Sequence, residues 1–148
     1  MKFPRHEAVD AYTGFLLRKV SAASFEGFSN IAASYGLHPM HFGMLSIIDA
    51  EEPISQQELS NRTGIDPSTM VARMDVLYDK GLVERKRRAE DRRSYEIRLS
   101  PSGRKLLGEL GKEAGEFGER FFAALTPTER KQLHELLTKL AASIDSSP

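Results

Sequence analysis

Cysteine is missing from this chain of 148 residues, and no charge of one sign prevails: 21 Lys and Arg balance 21 Asp and Glu. Without cysteine there can be no disulfide, no thiolate metal site and no thiol-based redox sensor. Apolar runs of membrane-spanning length are also missing, and the opening stretch Met1–Glu7 has no apolar signal core. A cytoplasmic chain with no membrane partner is expected. Neither a Gly-x-Ser-x-Gly elbow nor a Gly-x-Gly-x-x-Gly fingerprint occurs. Gly103-Arg104-Lys105-Leu106-Leu107-Gly108 starts like a phosphate loop, but Glu109-Leu110 follow where Lys and Ser or Thr belong. His6, His38, His41 and His134 are too scattered to form a triad. No enzyme, no catalytic residue and no cofactor are therefore expected.

What is present is concentrated between residues 54 and 103. Ser55 followed by Glu58 is a capping box, so a short helix starts at Gln56 and stops at Thr63-Gly64, where Gly can turn left-handed. Asp66 caps a second helix with Pro67 in its first position, where the missing N–H costs nothing. That helix carries Met70, Met74, Leu77 and Tyr78 at helical spacing and closes at Lys80-Gly81. Two short helices across a tight Gly turn form the DNA-binding helix-turn-helix unit.

Beyond Gly81 the period changes. Leu82–Arg85 and Tyr95–Leu99 alternate apolar and polar residues, as strands do, and the nearly all-charged run between them suits only a solvated hairpin tip. From Gly81 to Lys105 there are nine Lys or Arg against four Asp or Glu in a chain that is balanced as a whole. A charge run alone is usually a solvated face. Beside a helix-turn-helix it is a phosphate-neutralising patch.

The segments Asp66–Arg73, Lys80–Arg85, Asp91-Arg92-Arg93 and Leu99–Gly103, in this order and spacing, resemble the MarR family of bacterial transcriptional regulators. The resemblance extends over nearly the whole chain. It implies a mainly α fold with a small β-wing: a winged helix-turn-helix core flanked by N- and C-terminal dimerisation helices. Its parts are one domain over residues 1–148, a DNA-binding portion at 36–100, and dimerisation helices at 5–35 and 101–145. It further implies a homodimer on a near-palindromic double-stranded operator, usually repressing, with a small molecule or oxidant triggering release.

The flanking sequence agrees. One long amphipathic helix is expected from Ala8 to Tyr35, a short apolar one from His41 to Ala50, and two more over Ser102–Leu125 and Pro127–Ile144. Leu133, Leu136, Leu137, Leu140 and Ile144 form one apolar side of the last, more apolar surface than a compact centre covers. A second copy is the natural cover. Gly108, Gly111, Gly115 and Gly118 share one face of the preceding helix. At about 1 kcal/mol each against Ala, the stripe suggests either close approach of another helix or room for a ligand, unless the helix is merely loose.

Ser68, Thr69 and, one turn on, Arg73 are expected on one exposed side of the recognition helix. Arg73 is assigned to base or phosphate contact, and Ser68 and Thr69 to the helix start. Gln57 and Arg62 fall within reach of backbone phosphate. In the wing, Arg88 joins Arg92 and Arg93, which suit a narrow minor groove. The family pattern pairs Asp91 with Arg93, the acid orienting a neighbouring Arg.

Two His three apart, His38 and His41, need further ligands to hold a metal. Zinc-sensing members of the family use His on the helix after the wing, and residues 102–125 contain none. No metal site is expected. Tyr12, Arg18, His38, Met40, His41 and Met44 are candidates to border a pocket for an aromatic or acidic effector, since the family's ligands generally bind in that region. The other reading makes them core and cap residues without a ligand. Two function classes follow: an effector-released repressor, or a constitutive or architectural DNA binder, even an interaction module that has lost sequence reading.

Overall fold

The computed structural model describes residues 6–91 and 94–145. The elements in order are α1 Glu7–Asp10, α2 Thr13–Ser34, α3 Pro39–Glu51, α4 Gln56–Thr63, α5 Pro67–Asp79, β1 Val83–Arg87, β2 Tyr95–Leu99, α6 Pro101–Phe121 and α7 Pro127–Asp145. They gather into two compact units, one reaching to Ala114 and one starting at Gly115. Among the described residues no helix is long and apolar enough to cross a membrane.

The first expected helix is broken. Tyr12 takes extended dihedrals (φ −103°, ψ 117°) between the four-residue α1 and the 22-residue α2. Thr13 and Gly14, both weak helix formers, open the second piece, and an Asp10–Lys19 ion pair at 3.8 Å spans the break. The third helix begins earlier than its apolar pattern, because His38 caps it and Pro39 takes the first position.

The first unit is held by one apolar core. Met44, Leu45, Ile48, Leu59, Met70, Leu77 and Leu110 are fully buried, with Ile54, Met74, Ile97 and Leu99 nearly so. Strands β1 and β2 pair antiparallel, Val83 opposite Leu99 and Arg87 opposite Tyr95. Ile54 adds a short third rung against Ile97 through N–H···O bonds of 3.2 and 2.7 Å. Tyr35, at the end of α2, donates its phenol to Glu113 of α6 in a very short hydrogen bond. That bond, with burial and the nearby Glu109 added, pushes the phenol up to about 12.

In the second unit α6 ends at Phe121, four residues before the expected Leu125. The carbonyls of Phe122 and Leu125 are taken instead by Nε of Arg130, each at 3.1 Å. Thr126 and Glu129 form a capping box that starts α7. Among the described residues α7 buries none, and Leu136, Leu140 and Ile144 are more than half exposed.

Candidate nucleic-acid interface

The helix pair is set by its caps. Oγ of Ser55 accepts from the Glu58 N–H at 3.1 Å, and the Ser55 N–H donates to the Glu58 carboxylate at 2.7 Å. Gly64 is left-handed (φ 67°) and its N–H reaches the Ser60 carbonyl at 2.9 Å, which ends α4. Asp66 starts α5: its carboxylate accepts from the Ser68 hydroxyl at 2.6 Å and the Thr69 N–H at 3.0 Å. The hydroxyls of Ser68 and Thr69, then the Thr69 N–H, hold this carboxyl far below the ordinary range. Ser68 and Thr69 thus both hold the Asp66 cap.

The expected shared face of Ser68 and Arg73 is corrected. At about 100° per residue, five positions turn the side chain through about 140°. Met70, Met74 and Leu77 fix the inward face, and Ser68, Val71, Ala72 and Asp75 are exposed opposite them. Arg73 is half-buried on the flank, where its charge acts on His38 and His41.

The wing is braced rather than loose at its base. The guanidinium of Arg85 lies 5.5 Å from the Tyr78 ring centre of α5 and 4.9 Å from that of Tyr95, within cation–π range of both. Arg87 lies 5.8 Å from the same Tyr95 ring. Arg88 stands between two carboxylates, Glu58 at 3.6 Å and Glu96 at 3.7 Å, so the α4 capping residue also steadies the wing. Arg62 pairs with Glu51 at 2.9 Å, and exposed Gln57 donates to Asn61 at 3.2 Å. At the tip the Asp91 carbonyl accepts from the Ser94 N–H and hydroxyl at 3.1 and 3.2 Å. Arg92 and Arg93 lie outside the described residues.

Sequence reading missed the clamp behind the wing. Glu52, past the end of α3, accepts the Leu99 N–H at 2.8 Å and pairs closely with Arg104 of α6. Arg104 also reaches Asp49 at 2.6 Å. Burial pushes the Glu52 carboxyl up, but the Leu99 N–H and Arg104 outweigh it and hold the group below its ordinary range. Buried Ser100 donates to the Gly81 carbonyl at 2.6 Å and accepts the Gly103 N–H at 2.9 Å. Apart from the Ser100–Gly103 bond, these contacts join residues 19 to 55 positions apart, so no local spacing signals them.

Only part of the candidate effector set comes together. His38 and His41 form a capping box of two imidazoles: Nδ1 of His38 accepts the Met40 N–H at 3.1 Å, and Nδ1 of His41 accepts the His38 N–H at 2.9 Å. Phe25 approaches His38 edge-on, with ring centres 6.3 Å apart. Burial, then Arg73, His38 and Lys80, press the His41 ring down to about 4. Met40 is exposed at the margin, whereas Met44 belongs to the core. Tyr12 stands apart from this cluster. Tyr12 lies 13 residues before Phe25, about 20 Å along the helix at 1.5 Å per residue.

A model of the MarR family matches residues 35–94. The chain is 30% identical over 144 residues to a putative transcriptional regulatory protein for the hcr operon of Thauera aromatica, covering 97% of this chain and 87% of that one. The solved transcriptional repressor CouR, bound to a 23-mer DNA duplex, superposes with a TM-score of 0.82 at 28% identity, over 95% of this chain and 99% of that one. BpsR of Bordetella bronchiseptica, solved in a study of how 6-hydroxynicotinic acid regulates its DNA binding, matches with a TM-score of 0.76 at 25% identity. That match covers 94% of this chain and 98% of BpsR.

Proposed function

The chain belongs to the MarR family of transcriptional regulators, and we propose that it is a cytoplasmic, homodimeric repressor that holds a near-palindromic operator until a small molecule releases it. The observation that carries DNA binding is the junction of α5 with the wing. An exposed helix face lies beside a strand pair that presents Arg85, Lys86 and Arg87, and Arg85 stacks between Tyr78 of the helix and Tyr95 of the wing. Helix and basic wing therefore meet DNA as one piece, the helix in the major groove and the wing along the backbone. CouR, bound to its duplex, supports the same use of the fold.

Dimerisation is supported by two apolar faces left open in their own units: Tyr12, Phe15, Leu17 and Val20 at the start of the chain, and Leu136, Leu140 and Ile144 near its end. A twofold pair would set two recognition helices roughly 34–36 Å apart, one DNA turn. Leu140→Asp together with Ile144→Asp is expected to yield monomers in sedimentation velocity. A dimer surviving both changes argues against this interface.

For the effector, the likeness to BpsR supports a small aromatic acid. The His38 and Met40 margin of the candidate set, with the Phe25 ring edge-on to His38, supports a site for such an effector. The deciding experiment is binding of purified protein to a duplex from its own upstream region, over a salt series with competitor DNA. Tight, competitor-resistant binding with a steep salt slope is expected. Binding that competitor abolishes argues against sequence-specific recognition there.

A further inference from the structure

We propose that Val71 and Ala72 read thymine methyl groups in the major groove and so set the sequence preference of the recognition helix, a step that rests on the operator-binding reading above. The face of α5 available to DNA is fixed by what is buried behind it. Met70, Met74 and Leu77 are sealed in the core, and the outward residues are Ser68, Val71, Ala72 and Asp75. At about 100° per residue, Ser68 and Asp75 fall on one line along the crown, with Val71 and Ala72 to either side. Val71 is 50% exposed.

An inventory of donors decides what this face can recognise. The Ser68 hydroxyl already donates to Asp66 at 2.6 Å, and the Thr69 hydroxyl is engaged with the same carboxylate. Asp75 brings acceptors, and Val71 and Ala72 bring only methyl groups. Arg73, the residue type that reads guanine most often, is half-buried on the flank beside His38 and His41. The crown thus offers no free donor to the guanine O6 and N7 acceptors. It offers apolar contact, whose major-groove counterpart is the thymine methyl, and acceptors suited to the amino groups of cytosine or adenine.

The test uses the full-length protein and an operator enriched from a randomised duplex pool. Each thymine is then replaced singly by deoxyuridine, which removes the 5-methyl and leaves every hydrogen-bonding group in place. In each half-site at least one replacement should weaken binding about fourfold, the worth of one buried methyl. In Val71→Ala that position should lose its response. The variant should bind the original operator more weakly with an unchanged salt slope, since no phosphate contact is lost. An enriched operator indifferent to every uracil, or a Val71→Ala protein with the same uracil response as the parent, would overturn this inference alone. A pool from which nothing is enriched would overturn the operator-binding reading with it.

Discussion

Gly103 and Leu82 approach so closely that a β-carbon built on Gly103 would stand 2.0 Å from the Leu82 carbonyl oxygen. The obstacle is backbone, and it is pinned: the same carbonyl accepts the Ser100 N–H at 3.0 Å. The start of α6 is thereby seated on the start of the wing. Gly103→Ala is expected to destabilise the protein by roughly 3 kcal/mol, the upper part of the usual overpacking range. Urea unfolding measures it, and an unchanged midpoint would show that the helix start shifts freely.

The other glycines of α6 behave oppositely. A β-carbon at Gly108, Gly111, Gly115 or Gly118 meets nothing within 4 Å. Gly111→Ala and Gly115→Ala should each stabilise the chain by up to about 1 kcal/mol through helix propensity, with dimer and DNA affinity unchanged. Thermal unfolding and sedimentation check this together. A weakened dimer would instead show that a second copy seats a helix on the stripe.

His41 couples stability to pH. Its folded value of about 4 lies below the ordinary 6.5, so between these values the unfolded chain binds the extra proton. Stability is then complete above about pH 6.5 and falls as pH drops toward 4. His38 shifts the same way, through burial and then Arg73. His41→Gln keeps an acceptor for the His38 N–H without a titrating ring. It should flatten the loss of stability between pH 7 and 5, followed by urea midpoints in a buffer series. A parallel pair of curves would exclude His41 as the source.

Two wing arginines should separate by their salt response. Arg88 is already compensated by Glu58 and Glu96. Replacing it with Ala should leave the salt slope of DNA binding nearly unchanged. Arg93→Ala is expected to reduce that slope by about one, as one phosphate contact does. Anisotropy titrations from low to moderate salt decide it, and equal slopes for the two variants would remove the distinction.

Whatever neighbouring residues settle between themselves is legible along the chain. Ser55 with Glu58, left-handed Gly64, and Asp66 with Pro67 place α4 and α5 because each needs partners only two to four positions away. Alternation from Tyr95 gives the second wing strand by the same short range, whereas the first, buried only at Val83, is set by pairing with it. Tertiary packing decided the rest. Which side of α5 faces outward follows from burying Met70, Met74 and Leu77, and that turned Arg73 to the flank and brought Val71 and Ala72 to the crown. Glu52 meets Arg104 and Leu99, and Tyr35 meets Glu113, across 47 to 78 residues. Such pairs form only where the collapsed core brings distant segments together, and neither charge nor spacing along the chain records that meeting.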